Sequence, residues 1–278
     1  LFKKYNHCFE LAIIKRARRA KLKIISIFNQ KGGVGKTTTT INLSAYLAMK
    51  GKKILVVDMD PQGNTTSGLG IEKNTLEYST YDLLLGDTDV KDIIIPVPTV
   101  KNLSLIPSNI ELAGADIQLV ALDDREKALV SRLDELKSLN FDFIFIDCPP
   151  SLGLLSINAL TASNSVIIPV QSEYFAMEGI GQLMDTINRV NKGLNRDLKI
   201  EGVLLSMYDP RKNLNMEVAK ELKKHFGDVL YKSTIPNNIR LAEAPSFGLP
   251  IFLYDPKCRG AEAYGNFSRE FLKKNKEK

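Results

Sequence analysis

Cysteine is scarce in this chain of 278 residues, with Cys8, Cys148 and Cys258 the three present. Thiols so few and so scattered build neither a disulfide framework nor a four-ligand zinc site. Histidine is scarcer still, and neither His7 nor His225 has a partner at metal-ligand or catalytic spacing. Long apolar runs are also missing. Stretches such as Val166-Ile167-Ile168-Pro169-Val170 fall far below the roughly 20 residues of a membrane-spanning helix. The basic N-terminus carries neither a sustained apolar segment nor a small-residue cleavage site, so no targeting pattern is read there. These absences point to a reducing cytoplasm. They also point to a core held by packing alone, which 44% hydrophobic residues can supply.

The net charge of +6 is unevenly placed. Residues 1–23 hold Lys3, Lys4, Lys15, Arg16, Arg18, Arg19, Lys21 and Lys23 against Glu10 alone, a net +7 that leaves the other 255 residues at about −1. Such an arm suits phosphate backbones or anionic lipid, and equally an unstructured extension. The expected organisation is therefore a basic N-terminal extension over 1–22 and one domain over 23–278.

Beyond the arm, short apolar runs alternate with amphipathic segments. Strands are expected over 23–28, 53–58, 103–107, 141–147, 165–170, 200–206 and 229–232. Helices are expected from the first glycine-rich turn to about Met49, then over 110–121, 124–139, 152–161, 177–192, 214–226 and 259–274. Leu129, Leu133 and Leu136 share one side of the third of these, and Phe141, Phe143 and Phe145 alternate as one strand face. Strands alternating with helices of 10–15 residues mean βαβ units. The fold class is α/β, a mainly parallel twisted sheet with helices on both faces.

The first strand-to-helix turn reads Gln30-Lys31-Gly32-Gly33-Val34-Gly35-Lys36-Thr37-Thr38. Small residues at 32, 33 and 35 let backbone N–H groups surround a polyphosphate, and the helix N-terminus adds its positive dipole end. Lys36 would reach the β- and γ-phosphates, and the Thr37 hydroxyl would ligate magnesium. Two apolar strands end in carboxylates, Ile54-Leu55-Val56-Val57-Asp58 and Phe143-Ile144-Phe145-Ile146-Asp147. Open α/β sheets bind ligands at those strand ends, and Asp147 is placed to hold magnesium through a water. Guanine-reading proteins of this class carry an Asn/Thr-Lys-x-Asp string after a late strand. Asn191-Lys192-Gly193-Leu194 lacks the aspartate and follows a helix, so ATP is preferred.

Lys31 through Thr38 resembles the deviant Walker A motif, which has an extra lysine near its start. Val57-Asp58-Met59-Asp60-Pro61-Gln62-Gly63-Asn64 and Asp147-Cys148-Pro149-Pro150-Ser151 resemble the switch segments of the ParA/Soj chromosome and plasmid partitioning ATPases. So do Met207-Tyr208-Asp209-Pro210-Arg211 and the run from Ile235 to Ser246. The similarity extends over about 23–272.

The resemblance implies that Lys31 crosses to a partner subunit's ATP, so that a homodimer forms on nucleotide binding. It implies that Asp58 positions the attacking water, that Asp60 belongs to the adjoining switch, and that Asp147 is the Walker B acid. It places Pro236 and Asn238 against the adenine, and puts Ser206-Met207 where some relatives carry a base-reading asparagine. It makes Arg211 and Arg240 contacts to the backbone of non-specific double-stranded DNA, although Asn237 stands where the family often has a cation. A ParB-type centromere-binding protein would trigger hydrolysis, and the protein would sit on the nucleoid. The alternative is a membrane-surface regulator resembling the division-site ATPases. Its amphipathic C-terminal helix is poorly matched by Lys273-Lys274-Asn275-Lys276-Glu277-Lys278.

Overall fold

The computed structural model describes residues 22–173 and 176–276, so residues 1–21 of the expected basic extension lie outside the described residues. Eight strands form one sheet: β1 Lys23–Ile27, β2 Ile54–Asp58, β3 Ile95–Pro96, β4 Leu103–Ile106, β5 Phe143–Asp147, β6 Ser165–Gln171, β7 Lys199–Ser206 and β8 Leu230–Thr234. Their spatial order is β3-β4-β2-β5-β1-β6-β7-β8, and every pairing is parallel except β3 with β4. Along the chain run α1 Lys36–Met49, α2 Asn64–Gly68, α3 Thr80–Leu85, α4 Val90–Ile93, α5 Leu112–Gln118 and α6 Ala128–Glu135. They are followed by α7 Leu154–Ala162, α8 Ala176–Gly193, α9 Asn213–Phe226, α10 Ile239–Glu243, α11 Ile251–Tyr254 and α12 Arg259–Lys276.

Alternation along the strands divides the core in two. Phe143 and Phe145 of β5, with Ile25 and Ile27 of β1, face α1 and α12. Ile144 and Ile146 face the opposite layer, where Leu129 and Leu133 of α6 join Leu136, Leu155 and Leu183. Leu129, Leu133 and Leu136 are all buried, as their spacing predicts. The expected Phe141-Phe143-Phe145 face holds only for the last two. Phe141 precedes β5 and packs against the other layer, because the period-two pattern begins only where the strand does. The two-residue β3 was not expected. Ending in a proline and too short to show alternation, it is recognisable only by its pairing with β4.

Between β6 and β7 the register shifts, Val166 facing Ile200 and Ile167 facing Gly202, so that Glu201 is an extra residue. The bulge turns Glu201 inward, where it accepts from Lys23 Nζ, Ser165 Oγ (2.9 Å) and Asn275 Nδ2 (2.9 Å). This cluster fastens the end of α12 to β1. One turn earlier, Phe271 sits edge-on to Phe143 with ring centroids 5.3 Å apart and 5.9 Å from Phe145. Phe267 packs edge-on against Tyr231 at 4.8 Å. The apolar face of α12 is thus buried against the sheet.

Replacing Phe271 with alanine removes a fully buried ring at this junction and should destabilise the fold by about 3–5 kcal/mol. Urea unfolding should report it as a lower midpoint with an unchanged slope.

Candidate functional site

The phosphate loop leaves the C-terminal end of β1 and enters α1. Gly33 and Gly35 have φ of 73° and 89°, the left-handed region that a Cβ penalises, which explains glycine at both positions. Gly35 caps α1 by its backbone, and the first turn of that helix begins at Lys36. The Lys36 side chain folds back over the loop, its ammonium 3.1 Å from the Lys31 carbonyl oxygen. Burial holds its pKa below the ordinary lysine value, with Asp147 and Cys148 pulling the other way. Asn29 steadies the loop from below. Its amide donates to the Pro169 carbonyl (2.8 Å) and its side-chain oxygen accepts from Lys31 N (3.0 Å).

The strand order β2-β5-β1 brings Asp58 and Asp147 beside this loop, paired in register across β2 and β5 with no exposed surface on either. Burial, followed by the facing Asp147 charge, pushes the Asp58 carboxyl well above its usual range, while donors from Thr66 oppose the shift. Burial likewise raises Asp147, against hydroxyls from Thr65 and Thr37.

The donors are specific. Thr37 Oγ1 gives a hydrogen bond to Asp147 Oδ2 at 2.8 Å, Thr65 Oγ1 to the same oxygen at 2.7 Å, and Thr40 Oγ1 to Oδ1 at 3.2 Å. Asp58 Oδ2 accepts from Thr66 N (2.9 Å) and Thr66 Oγ1 (2.7 Å), and Oδ1 accepts from Asp60 N (3.2 Å). Asp60 itself orders the switch turn, its carboxylate accepting from Gln62 N at 2.9 Å. The sequence reading passed over Thr40, Thr65 and Thr66. The signal for the last two was a Thr-Thr pair one residue beyond the Asp-Pro-Gln-Gly-Asn string.

The Thr37 hydroxyl and Asp147 carboxylate, touching at the mouth of the loop, form a partial set of hard oxygen donors. No group of three or more His, Cys, Asp or Glu side chains suited to a metal occurs among the described residues. This donor set fits magnesium, which is held by one or two protein oxygens and completed by phosphates and water.

Beside the loop a cavity of about 110 Å³ opens between β7 and α10, lined by Gly35, Thr38, Met207, Pro236, Asn238 and Tyr264, among others. Pro236 and Asn238, which the resemblance assigns to the base, both line this cavity. Asn238 also caps α10, its side-chain oxygen accepting from Arg240 N at 2.9 Å. Ser206 also lines the cavity, and its hydroxyl donates to the Val34 carbonyl at 2.7 Å. Met207 lines the cavity with φ of 51°, a strained conformation for a side-chain-bearing residue.

Lys31 stands half-exposed at the rim, in a hydrogen-bonded ion pair with Glu173 of its own chain. Arg211 and Arg240 are both bound by carboxylates of their own chain. Arg211 makes a two-pronged contact with Asp209, at 2.9 and 2.8 Å. Arg240 reaches Glu243 at 2.8 Å and Asp255 at 3.5 Å.

Comparison with known proteins agrees with this geometry. Residues 22–200 match a family described as an AAA domain. The chain is 60% identical to the sporulation initiation inhibitor protein Soj of Bacillus subtilis over 89% of its length and 97% of that protein's. It is 50% identical to the chromosome-partitioning ATPase Soj of Treponema pallidum, with 90% and 97% covered. The chain belongs to the Soj/ParA family of chromosome-partitioning ATPases. A solved structure of cobyrinic acid a,c-diamide synthase from Mycobacterium smegmatis, with bound ATP analog and magnesium, superposes with a TM-score of 0.78. It is 36% identical, with 91% of this chain and 95% of that one covered. The mainly parallel sheet expected from the sequence is thus the family's P-loop fold.

Thr66 joins three parts of the site, since its hydroxyl also accepts from Ser108 N at 2.9 Å. Thr66→Val leaves that amide without its partner and strips Asp58 Oδ2 of one of its two donors, the Thr66 N–H remaining. A stability loss of about 2 kcal/mol is expected in denaturant unfolding, larger than for a surface Thr→Val control.

Proposed function

We propose that this chain is an ATP-driven DNA partitioning switch, whose ATP-bound dimer holds DNA non-specifically and lets go on hydrolysis. The observation that carries the reading is the Thr37–Asp147 contact at the mouth of the phosphate loop, with Asp58 in register beside it. Gly32, Gly33, Val34 and Gly35 would present backbone N–H groups to the triphosphate, and Lys36 would move from the Lys31 carbonyl to phosphate oxygens. Thr37 would hold magnesium directly and Asp147 through a water. When bound, that ion supplies positive charge to the β- and γ-phosphates.

Asp58 would orient the attacking water. Its buried carboxyl favours the proton-bearing form more than a surface carboxyl does, the property needed of a group that takes up a proton from water. Lys31 would complete the partner subunit's phosphate site, so that the triphosphate joins two copies by one charge from each. The adenine would occupy the cavity walled by Pro236 and Asn238.

Arg211 and Arg240, doubled by a two-fold dimer, would contact DNA phosphates without reading sequence. Both must first exchange a carboxylate for a phosphate, which makes binding sensitive to salt and conformation. A ParB-type partner would accelerate hydrolysis, and DNA binding would place the protein on the nucleoid. The membrane-surface alternative needs an apolar helix face to embed, and Phe267 and Phe271 of α12 have none of theirs exposed. Among the described residues no helix is long and apolar enough to cross a membrane.

Lys36→Ala should abolish ATP binding, measured by a fluorescent ATP analogue, and with it ATP-dependent retention of duplex DNA in a gel shift. Unchanged retention would overturn the switch. Asp58→Ala should lower the rate of phosphate release by about 100-fold or more while ATP affinity stays within a few-fold. Lys31→Ala should bind ATP yet remain monomeric with a non-hydrolysable analogue and magnesium, as read by light scattering during gel filtration.

A further inference from the structure

The contact between Lys31 and Glu173 is one end of a chain of hydrogen bonds, with one peptide link between Glu173 and Ser172, that terminates at Arg211. Glu173 lies just beyond β6 in a tight turn closed by its own N–H, which donates to the Gln171 carbonyl at 2.8 Å. The preceding residue, Ser172, is buried, and its carbonyl accepts from Asn215 Nδ2 at 2.6 Å. Asn215, on the first turn of α9 and 8% exposed, uses its other side-chain atom on the DNA side, where Oδ1 accepts from Asp209 N at 2.9 Å. The Asp209 carboxylate then grips Arg211 with both oxygens.

A single buried amide thus spans two segments distant in sequence, one holding the cation of the nucleotide site and the other holding an arginine assigned to DNA. A buried asparagine satisfied at both ends cannot shift at one end without disturbing the other, because an abandoned donor or acceptor would go unpaired. The Asp209–Arg211 loop also descends directly from Ser206, which is hydrogen-bonded to the phosphate loop at Val34, and from the strained Met207. The loop is therefore anchored at its nucleotide end and restrained at its DNA end by Asn215.

We infer that Asn215 is a positioning residue that couples occupancy of the nucleotide site to release of Arg211 from Asp209. The inference rests on the proposal that Lys31 leaves its own chain for a partner's triphosphate. In the nucleotide-free chain Lys31 neutralises Glu173 and keeps its turn against β6. Asn215 then holds Asp209 N, and Asp209 keeps Arg211 from DNA. Once Lys31 departs, the uncompensated Glu173 swings towards water and draws the Ser172 carbonyl from Asn215. Asn215 turns to recover a partner and Asp209 loses its anchor, which opens Arg211 to a phosphate oxygen. An exposed ion pair is weak, so the device biases a balance and does not lock it.

The test is amide hydrogen exchange on the full chain, with and without a non-hydrolysable ATP analogue and magnesium. Wild type, Asn215→Asp and Asn215→Ala are compared after circular dichroism and thermal melts establish folding. Asn215→Asp keeps the acceptor for Asp209 N and removes the donor to Ser172, so it cuts one link. In wild type, nucleotide should protect 32–38 and raise exchange over 209–212. In both variants the first effect should persist, and the second should fall to less than half.

In anisotropy titrations with a random-sequence duplex, the ratio of affinities with and without nucleotide should fall in Asn215→Asp by about 2- to 30-fold, the range of a coupling residue outside both sites. Equal exchange responses at 209–212 in wild type and Asn215→Asp would overturn the inference, as would an unchanged affinity ratio. Absence of protection at 32–38 in wild type would instead overturn the reading of the nucleotide site itself.

Discussion

Two carboxylates face each other across adjacent strands, buried, with Asp58 opposite Asp147. Like charges so placed repel, and removal from water adds to the cost, so the surroundings must supply compensation or the fold would not hold them there. Threonine hydroxyls from α1 and α2 supply part of it, with the backbone N–H groups of Thr66 and Asp60. Lys36 supplies positive charge nearby. The phosphate loop, the Asp-Pro-Gln switch and the second switch after β5 are therefore joined through one pair of acids. A change in the charge presented at the loop alters the balance for all three.

The same economy of partners recurs at the periphery. The cations assigned to crossing between subunits and to DNA are each held by a carboxylate of their own chain: Lys31 by Glu173, Arg211 by Asp209, and Arg240 by Glu243 and Asp255. Such pairs at the surface cost little to exchange, which suits the exchange of partners proposed for these cations. The interior clusters differ. Glu201, turned inward by a bulge and met by Lys23, Ser165 and Asn275, belongs to the fastening of α12.

Much of the site was legible because its chemistry is contiguous or lies at strand ends. Lys31 through Thr38 is a continuous string, and the conformations of Gly33 and Gly35 agree with its reading as a phosphate loop. Asp58 and Asp147 announce themselves as carboxylates closing apolar runs, whereas Pro236 and Asn238 are named by family resemblance alone. The reading of Phe141 failed because alternation has no meaning before a strand begins. The two-residue β3 was invisible because it is too short to show a period.

Thr40, Glu173 and Asn215 carry no local signal, and Thr65 and Thr66 carry only their adjacency to the Asp-Pro-Gln-Gly-Asn string. A threonine or an asparagine on a helix is ordinary until its partner across the fold is known.

Local pattern along the chain suffices for the alternation of strands and helices, the phosphate loop and the two acids, since each rests on period or on adjacent residue types. Only the tertiary structure decided that β5 lies between β1 and β2, which sets Asp147 against Thr37 on one side and Asp58 on the other. It alone placed Asn215 between Ser172 and Asp209. Strand order and side-chain pairing depend on how helices of different lengths cover the sheet. That is a property of the packed whole, and no local window of the chain contains it.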